Sequence, residues 1–99
     1  MSKLSEFSRE RFAYAQAKRV LAEKYEAKLT FAFNGGLWRA GPELLTLLAV
    51  CKGEHAVILD EYRNPVSVAV DELADLARQR WQEQMNAWLV EYEQVGRTR

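Results

Sequence analysis

Apolar residues at helical spacing occupy a long segment at the start of the chain. Phe7, Tyr14 and Tyr25 fall on one side of a helix, while Lys, Arg and Glu occupy most positions on the other side. Ser5 is a residue type that caps helix N-termini, because its hydroxyl accepts a hydrogen bond from a free backbone N–H group. The pattern therefore predicts an amphipathic helix that starts after Ser5 and runs to about Lys28.

A second helical pattern lies near the other end of the chain. Trp81, Met85, Trp88 and Tyr92 recur at steps of four, three and four residues, which puts four large apolar side chains in one stripe along a helix. We call these four residues the aromatic stripe. In a chain of 99 residues, they either fill much of the core or form a surface for another chain.

The helix that carries the aromatic stripe is predicted to begin at Asp71, a favoured N-cap residue, and to continue to about Val95. Gly96 often ends a helix, so residues 96–99 are expected to form a disordered polar tail. A helix of about 25 residues extends about 37 Å, slightly more than the roughly 34 Å width of a compact 100-residue domain. One end of this helix is therefore expected to project beyond the domain.

Alternating apolar and polar residues between the long helices predict two β-hairpins. Asn34, Gly35 and Gly36 supply the positive φ angles of a tight turn in the first hairpin, and residues 60–65 contain turn-forming residues in the second. The predicted strands cover residues 29–33, 37–40, 55–59 and 66–70. These strands are expected to pair in one small antiparallel sheet.

A shorter helix is predicted between the hairpins. Gly41 and Pro42 fit its N-cap and first turn, and Lys52 followed by Gly53 fits its end. The residues between these signals are apolar almost all round the helix, so it is expected to be central and buried on most sides. Its apolar residues are Leu44, Leu45, Leu47, Leu48, Val50 and Cys51.

The element order predicts an α+β fold of two long amphipathic helices, one short buried helix and a small antiparallel sheet of hairpins (α-β-β-α-β-β-α). Ninety-nine residues is the size of one domain. Residues 1–99 are therefore expected to form a single domain.

The charge balance narrows the functional classes. Lys plus Arg and Asp plus Glu both total 14, so the chain lacks the overall positive charge typical of nucleic-acid binders. The ends differ, because residues 1–28 carry seven basic and four acidic side chains (net +3), whereas residues 71–99 carry four basic and six acidic ones (net −2). This difference predicts that the terminal helices lie near one another, within one chain or between two.

The cysteine content and hydropathy point to the cytoplasm. The chain has one cysteine, Cys51, so no intrachain disulfide forms and a reducing compartment is favoured. The longest apolar run, residues 44–51, is far shorter than the roughly 20 residues that cross a bilayer. The first residues also lack the apolar segment of a signal peptide. We expect a cytoplasmic protein that does not enter a membrane.

The sequence carries no recognisable catalytic or metal-binding motif. One His and one Cys do not supply the four protein ligands of a zinc site. Asp60 and Glu61 are neighbouring carboxylates, but their position in a turn predicts solvated side chains without a third ligand. We expect no catalytic residue, no metal and no cofactor.

Two binding sites remain as alternatives. Gly35, Gly36 and Arg39 form a candidate anion site near the start of the short helix, although a plain hairpin turn also explains both glycines. A nucleic-acid accessory role would use Trp38 to stack on a base and the basic residues of the first helix to contact phosphates. These basic residues are Arg9, Arg11, Lys18, Arg19, Lys24 and Lys28, with glutamates among them.

One segment resembles a known group of proteins. The run AVILDEYRNPVSV (residues 56–68), followed by Asp71-Glu72-Leu73 and a long helix, is similar to small uncharacterised proteins encoded by tailed bacteriophages. The resemblance covers about 40 of the 99 residues. It implies a small accessory or assembly protein, located in the host cytoplasm.

The favoured hypothesis is a non-enzymatic protein that binds protein, as a homodimer or small homo-oligomer. The chain contains many other large apolar residues for its own core, which leaves the aromatic stripe available as either core or interface. The predicted contact surface consists of Trp81, Met85, Trp88 and Tyr92, with Phe7 and Tyr14 as packing partners.

Overall fold

The computed structural model describes residues 3–51 and 53–98, with the side chains of residues 9–51 and 53–97. In this part of the chain, the fold is α+β and follows the predicted order, with three helices and four strands. The elements are α1 (Lys3–Lys28), β1 (Thr30–Phe33), β2 (Gly36–Arg39), α2 (Pro42–Val50), β3 (His55–Leu59), β4 (Pro65–Ala69) and α3 (Val70–Thr98).

The four strands form two separate antiparallel hairpins, β1-β2 and β3-β4, so the prediction of one sheet is wrong. The turn after β3 lies against the free edge of β2. There, the Glu61 N–H donates to the Leu37 carbonyl (2.8 Å), and the Leu37 N–H donates to Oδ2 of Asp60 (3.1 Å). Because a turn occupies the hydrogen-bonding groups of β2, no further strand extends the ladder at this point. We call Leu37, Asp60 and Glu61 the hairpin joint.

Both long helices exceed their predicted bounds. Since α1 begins at Lys3, Ser5 lies inside the helix rather than at its cap. α3 begins at Val70 and continues through Gly96 to Thr98, past the predicted end at Val95. Glycine costs only about 1 kcal/mol within a helix, and an established helix tolerates that cost.

α2 begins as predicted, with Gly41 as the N-cap and Pro42 in the first turn. Lys52, assigned to its end, lies outside the described residues. The prediction that α2 is buried on most sides is wrong, because it packs mainly against α3 and only Leu48 is buried. Leu47 and Val50 have 40% and 68% of their surface exposed.

The core lies where the two hairpins meet the first turns of α3. Trp38 of β2, Val68 of β4 and Leu73 of α3 are the largest fully buried side chains among the described residues. The indole N–H of Trp38 donates to the Phe33 carbonyl at 2.9 Å, which satisfies its one polar atom. The inner faces of the strands add Phe31 and Ile58 to this cluster.

The two long helices pair in opposite directions. Tyr25 of α1 faces Trp88 of α3, and Lys18, two turns earlier in α1, lies over the ring of Tyr92, one turn later in α3. We call residues 3–25 and 88–98 the arm, and the rest of the described chain the head. The described structure measures 64 × 23 × 21 Å, so it is elongated along one axis.

Candidate binding groove

An open groove of about 740 Å³ lies between α2, the ends of β2 and β3, and the middle of α3. We call it the tryptophan groove. Its apolar wall consists of Leu44, Leu47, Leu59, Trp81, Met85 and Trp88. Its charged lining residues are Glu26, Arg39, Glu43, Asp60 and Glu61.

Trp81 and Met85 belong to both the core and the groove. Both side chains are half-buried and pack against the buried cluster of the head. A Cβ atom at Gly41 would lie 3.7 Å from Cζ3 of Trp81, so the indole edge lies close to the backbone that starts α2. The remaining surface of these side chains lines the groove. One stripe of α3 therefore serves the core on one side and an open surface on the other.

Trp88 is held by contacts at the base of the arm. Its ring stacks on Tyr25, with ring centroids 5.9 Å apart and an angle of 11° between the planes. The Tyr25 hydroxyl donates to Oε1 of Glu91 at 2.8 Å, and Lys24 Nζ donates to the same oxygen at 2.7 Å. These bonds join α1 to α3 beside the groove and limit the orientations that Trp88 can adopt.

The charge state of this contact is stabilised by its own hydrogen bonds. The bond from Lys24, followed by the bond from Tyr25, lowers the pKa of Glu91 despite its partial burial. The bond to Glu91 raises the pKa of Lys24. Both groups are therefore charged at neutral pH. The ion pair persists at every pH above the pKa of Glu91 and below the pKa of Lys24.

Carboxylates dominate the charge around the tryptophan groove. Glu26, Glu43 and Glu61 are exposed there, and Arg39 is the basic side chain among its lining residues. An apolar wall with a charged, solvated rim is the arrangement found in protein interfaces.

Asp60 differs from the prediction that it is a solvated turn residue. Only 8% of its surface is exposed, and its carboxylate accepts hydrogen bonds from the backbone N–H groups of Leu37, Tyr62 and Asn64. The bonds from Asn64 and Leu37 are the main causes of a lowered pKa, against the opposing effect of burial. Asp60 therefore connects the two hairpins, whereas its neighbour Glu61 is exposed as predicted.

The residues of the predicted anion site do not come together. Asn34 and Gly35 have φ angles of 52° and 82°, as the predicted hairpin turn requires. Gly36 is buried beneath the Trp38 indole. Arg39 pairs with Thr30 at the other end of β2, about 10 Å from the turn, so it does not supply a charge to the glycines.

The structure also shows the surroundings of the residues named in the nucleic-acid hypothesis. Trp38 has only 1% of its surface exposed, so its ring is inaccessible to a base. Among the basic residues of α1, Lys24 binds Glu91, Lys18 lies over the rings of Tyr14 and Tyr92, and Arg19 lies 4.0 Å from Glu23. This helix face carries mixed charges and internal contacts.

The predicted contact surface is divided between the groove and the arm. Trp81, Met85 and Trp88 line the groove, while Tyr92 lies further along α3 with 40% of its surface exposed. Tyr14 is half-buried on α1. Phe7 belongs to α1, but its side chain lies outside the described residues.

Sequence reasoning missed the opposite wall of the groove. Leu44 and Leu47 were assigned to the core because α2 is apolar all round, and Leu59 was assigned to a strand without a binding role. The signal was present in α2, since a short helix with apolar residues on every side exposes some of them unless neighbours cover all its faces.

Helical spacing places one side of the arm in line with the groove. Leu89 lies one turn beyond Met85 on α3, and Ala22 lies one turn before Glu26 on α1, so both follow residues that line the groove. Phe12 lies two heptads before Glu26 on the same side of α1, and Ala15 lies between them. We call Phe12, Ala15, Ala22 and Leu89 the groove-side face. Phe12 and Leu89 have 68% and 55% of their surface exposed.

Comparisons with protein-family models, with curated proteins and with solved structures found no match to this chain. Within residues 3–51 and 53–98, no three side chains of His, Cys, Asp or Glu are grouped to hold a metal ion. The helices described also lack any stretch with the length and apolarity to span a membrane.

Proposed function

We propose that this protein acts by binding protein, and in the first place by associating with a second copy of itself through the tryptophan groove and the groove-side face. Such a role is that of an accessory or assembly protein, as the resemblance to small bacteriophage proteins implies. The function requires no bound cofactor and no chemical step.

The observation that carries the proposal is the half-open position of the aromatic stripe. Trp81 and Met85 already pack on the core of their own chain, yet with Trp88 they still line an open groove. Aromatic residues and methionine in such positions are characteristic of interface centres. The acidic residues around them supply the polar rim.

The exposed residues of the arm extend the same surface. Phe12 and Leu89 are large apolar residues on the arm that the described part of the chain leaves mostly exposed. Burial of such side chains contributes roughly 1.5 to 3 kcal/mol each. A second arm packed on this side forms a four-helix arrangement, which buries these residues as a helix bundle does.

Leu89 offers a sharper test than any residue of the aromatic stripe. Substitution of Trp88 also removes its stack on Tyr25 and therefore perturbs the fold. Leu89 and Val90 are adjacent, similarly apolar and almost equally exposed, at 55% and 57%. They point about 100° apart on the helix, and only Leu89 follows the groove side.

The experiment measures mass by light scattering over a concentration series from about 1 to 100 μM, a range that covers typical dimer affinities. We expect the wild type to approach twice the chain mass, Leu89→Asp to weaken association by about tenfold or more, and Val90→Asp to behave as the wild type. A wild type that stays monomeric throughout the series contradicts the proposed self-association. Equal effects of the two variants contradict the assigned face.

A further inference from the structure

We infer that the two copies pair antiparallel about a two-fold axis, so that Phe12 of each copy enters the tryptophan groove of the other. This inference rests on the self-association proposed above and identifies the occupant of the groove. It makes the groove a composite site, completed by a residue of the second chain.

The spacing of residues along α1 supports this register. Phe12 precedes Glu26 by 14 residues, or about 21 Å of helix. When two α1 helices run antiparallel, Phe12 of one copy meets Glu26 of the partner copy if the axis passes near Arg19. The same axis places Ala15 opposite about Ala22 of the partner copy, and small side chains at these positions let the helices approach closely.

Charge complementarity supports the same pairing. Beside Phe12, Arg9 and Arg11 are basic and Glu10 is acidic, so residues 9–12 have a net charge of +1. The charged lining of the groove has a net charge of −3, from four carboxylates and one arginine. Opposite charges of this kind fix the register of an interface and disfavour alternative pairings.

The exposure of Phe12 leaves room for a second chain at this place. Phe12 has 68% of its surface exposed, although Lys18, nearly two turns later in α1, lies over the ring of Tyr92 in α3.

Arg19 falls near the proposed axis, where it approaches its own counterpart. Its guanidinium Nε lies 4.0 Å from Oε1 of Glu23 in the same helix. Glu23 therefore offsets the repulsion between the two arginines, and the axis remains compatible with the charges on α1.

Disulfide trapping tests the arrangement directly. Phe12→Cys and Leu47→Cys are each made in a Cys51→Ala background, mixed in equal amounts and oxidised mildly. Leu47 lines the groove, so we expect a disulfide between the two variants. A mixture of Phe12→Cys with Val90→Cys is the matched control, since Val90 is more exposed but lies away from the groove side. Light scattering of the Cys51→Ala protein is measured in parallel.

The outcomes separate this inference from the proposed function. A dimeric protein in which Phe12→Cys links to Val90→Cys as readily as to Leu47→Cys overturns the antiparallel arrangement and leaves self-association standing. A monomeric protein overturns both. As a second measurement, we expect Phe12→Asp to weaken dimerisation by about tenfold and Phe12→Leu by less than about threefold. Equal affinity of Phe12→Asp and wild type also overturns the inference.

Discussion

The three tryptophans of this chain occupy two contrasting environments. Trp38 lies in β2 of the first hairpin and belongs to the buried cluster, with 1% of its surface exposed and its N–H bonded to a backbone carbonyl. Trp81 and Trp88 lie on α3, where Trp81 packs against the core and Trp88 stacks on Tyr25, and both remain half-buried. The contrast shows that residue type alone does not separate core from surface, since the number of elements packed around the residue decides its exposure.

The largest expected effect on stability comes from replacing Trp38, the buried tryptophan. Trp38→Ala leaves a large cavity at a fully buried position, and we expect a loss of about 3–5 kcal/mol in the free energy of unfolding. Trp88→Ala loses one stacking contact and partial burial, so we expect about 1–2 kcal/mol. Urea denaturation measures both losses, at protein concentrations below those at which the protein dimerises. Similar losses for both variants would contradict the division into core and groove.

A substitution that crowds the Trp38 ring is expected to have a smaller effect on stability. A Cβ atom at Gly36 would lie 2.9 Å from Cζ2 of the Trp38 ring, which leaves no room for a methyl group. We expect Gly36→Ala to destabilise the fold by about 1–3 kcal/mol. The matched control is Gly96→Ala, because a Cβ atom there meets nothing within 4 Å. In the α3 helix, that change should stabilise by about 0.5–1 kcal/mol, and thermal melts resolve the opposite signs.

The smallest expected effect concerns Asp60, at the border between core and groove. Its pKa in the folded protein is lower than the ordinary value of 3.8, so its contribution to stability is fully present above that value. The contribution is lost as the pH falls through the lower folded pKa. We expect Asp60→Asn to lower the melting temperature at pH 7 and to narrow its difference from wild type on acidification. A difference independent of pH would contradict the role of the carboxylate.

Periodicity predicted the order and type of every element. Apolar residues recur at every second position in the strands and at every third or fourth position in the helices. The boundaries were less predictable. Ser5 and Gly96 are residue types that favour helix ends, but each acts on one turn only, and both long helices continue through them. The energy of a single cap or glycine is too small to end a helix of this length.

The candidate site was less predictable than the fold. The aromatic stripe identified one wall of the groove, since helical spacing reveals which residues share a face. The spacing did not reveal that α2 covers only part of that face, or that Leu47 stays exposed. The sequence also did not indicate that Asp60 is buried, because its hydrogen-bond partner Leu37 lies 23 residues away. Packing between distant elements decides such features, and a single sequence does not specify it.

The hairpin joint has a consequence for how the chain folds. Each β-hairpin closes over a few residues and forms within about 1–10 μs, but the joint links Leu37 to residues 23 and 24 positions away. The contacts of Tyr25 and Lys24 with Glu91 span 66 and 67 residues, so they carry a larger loop-closure entropy than the hairpins or the joint. We therefore expect the hairpins to appear first, their joint to follow, and the arm to close last. The groove is then assembled only in the final step of folding.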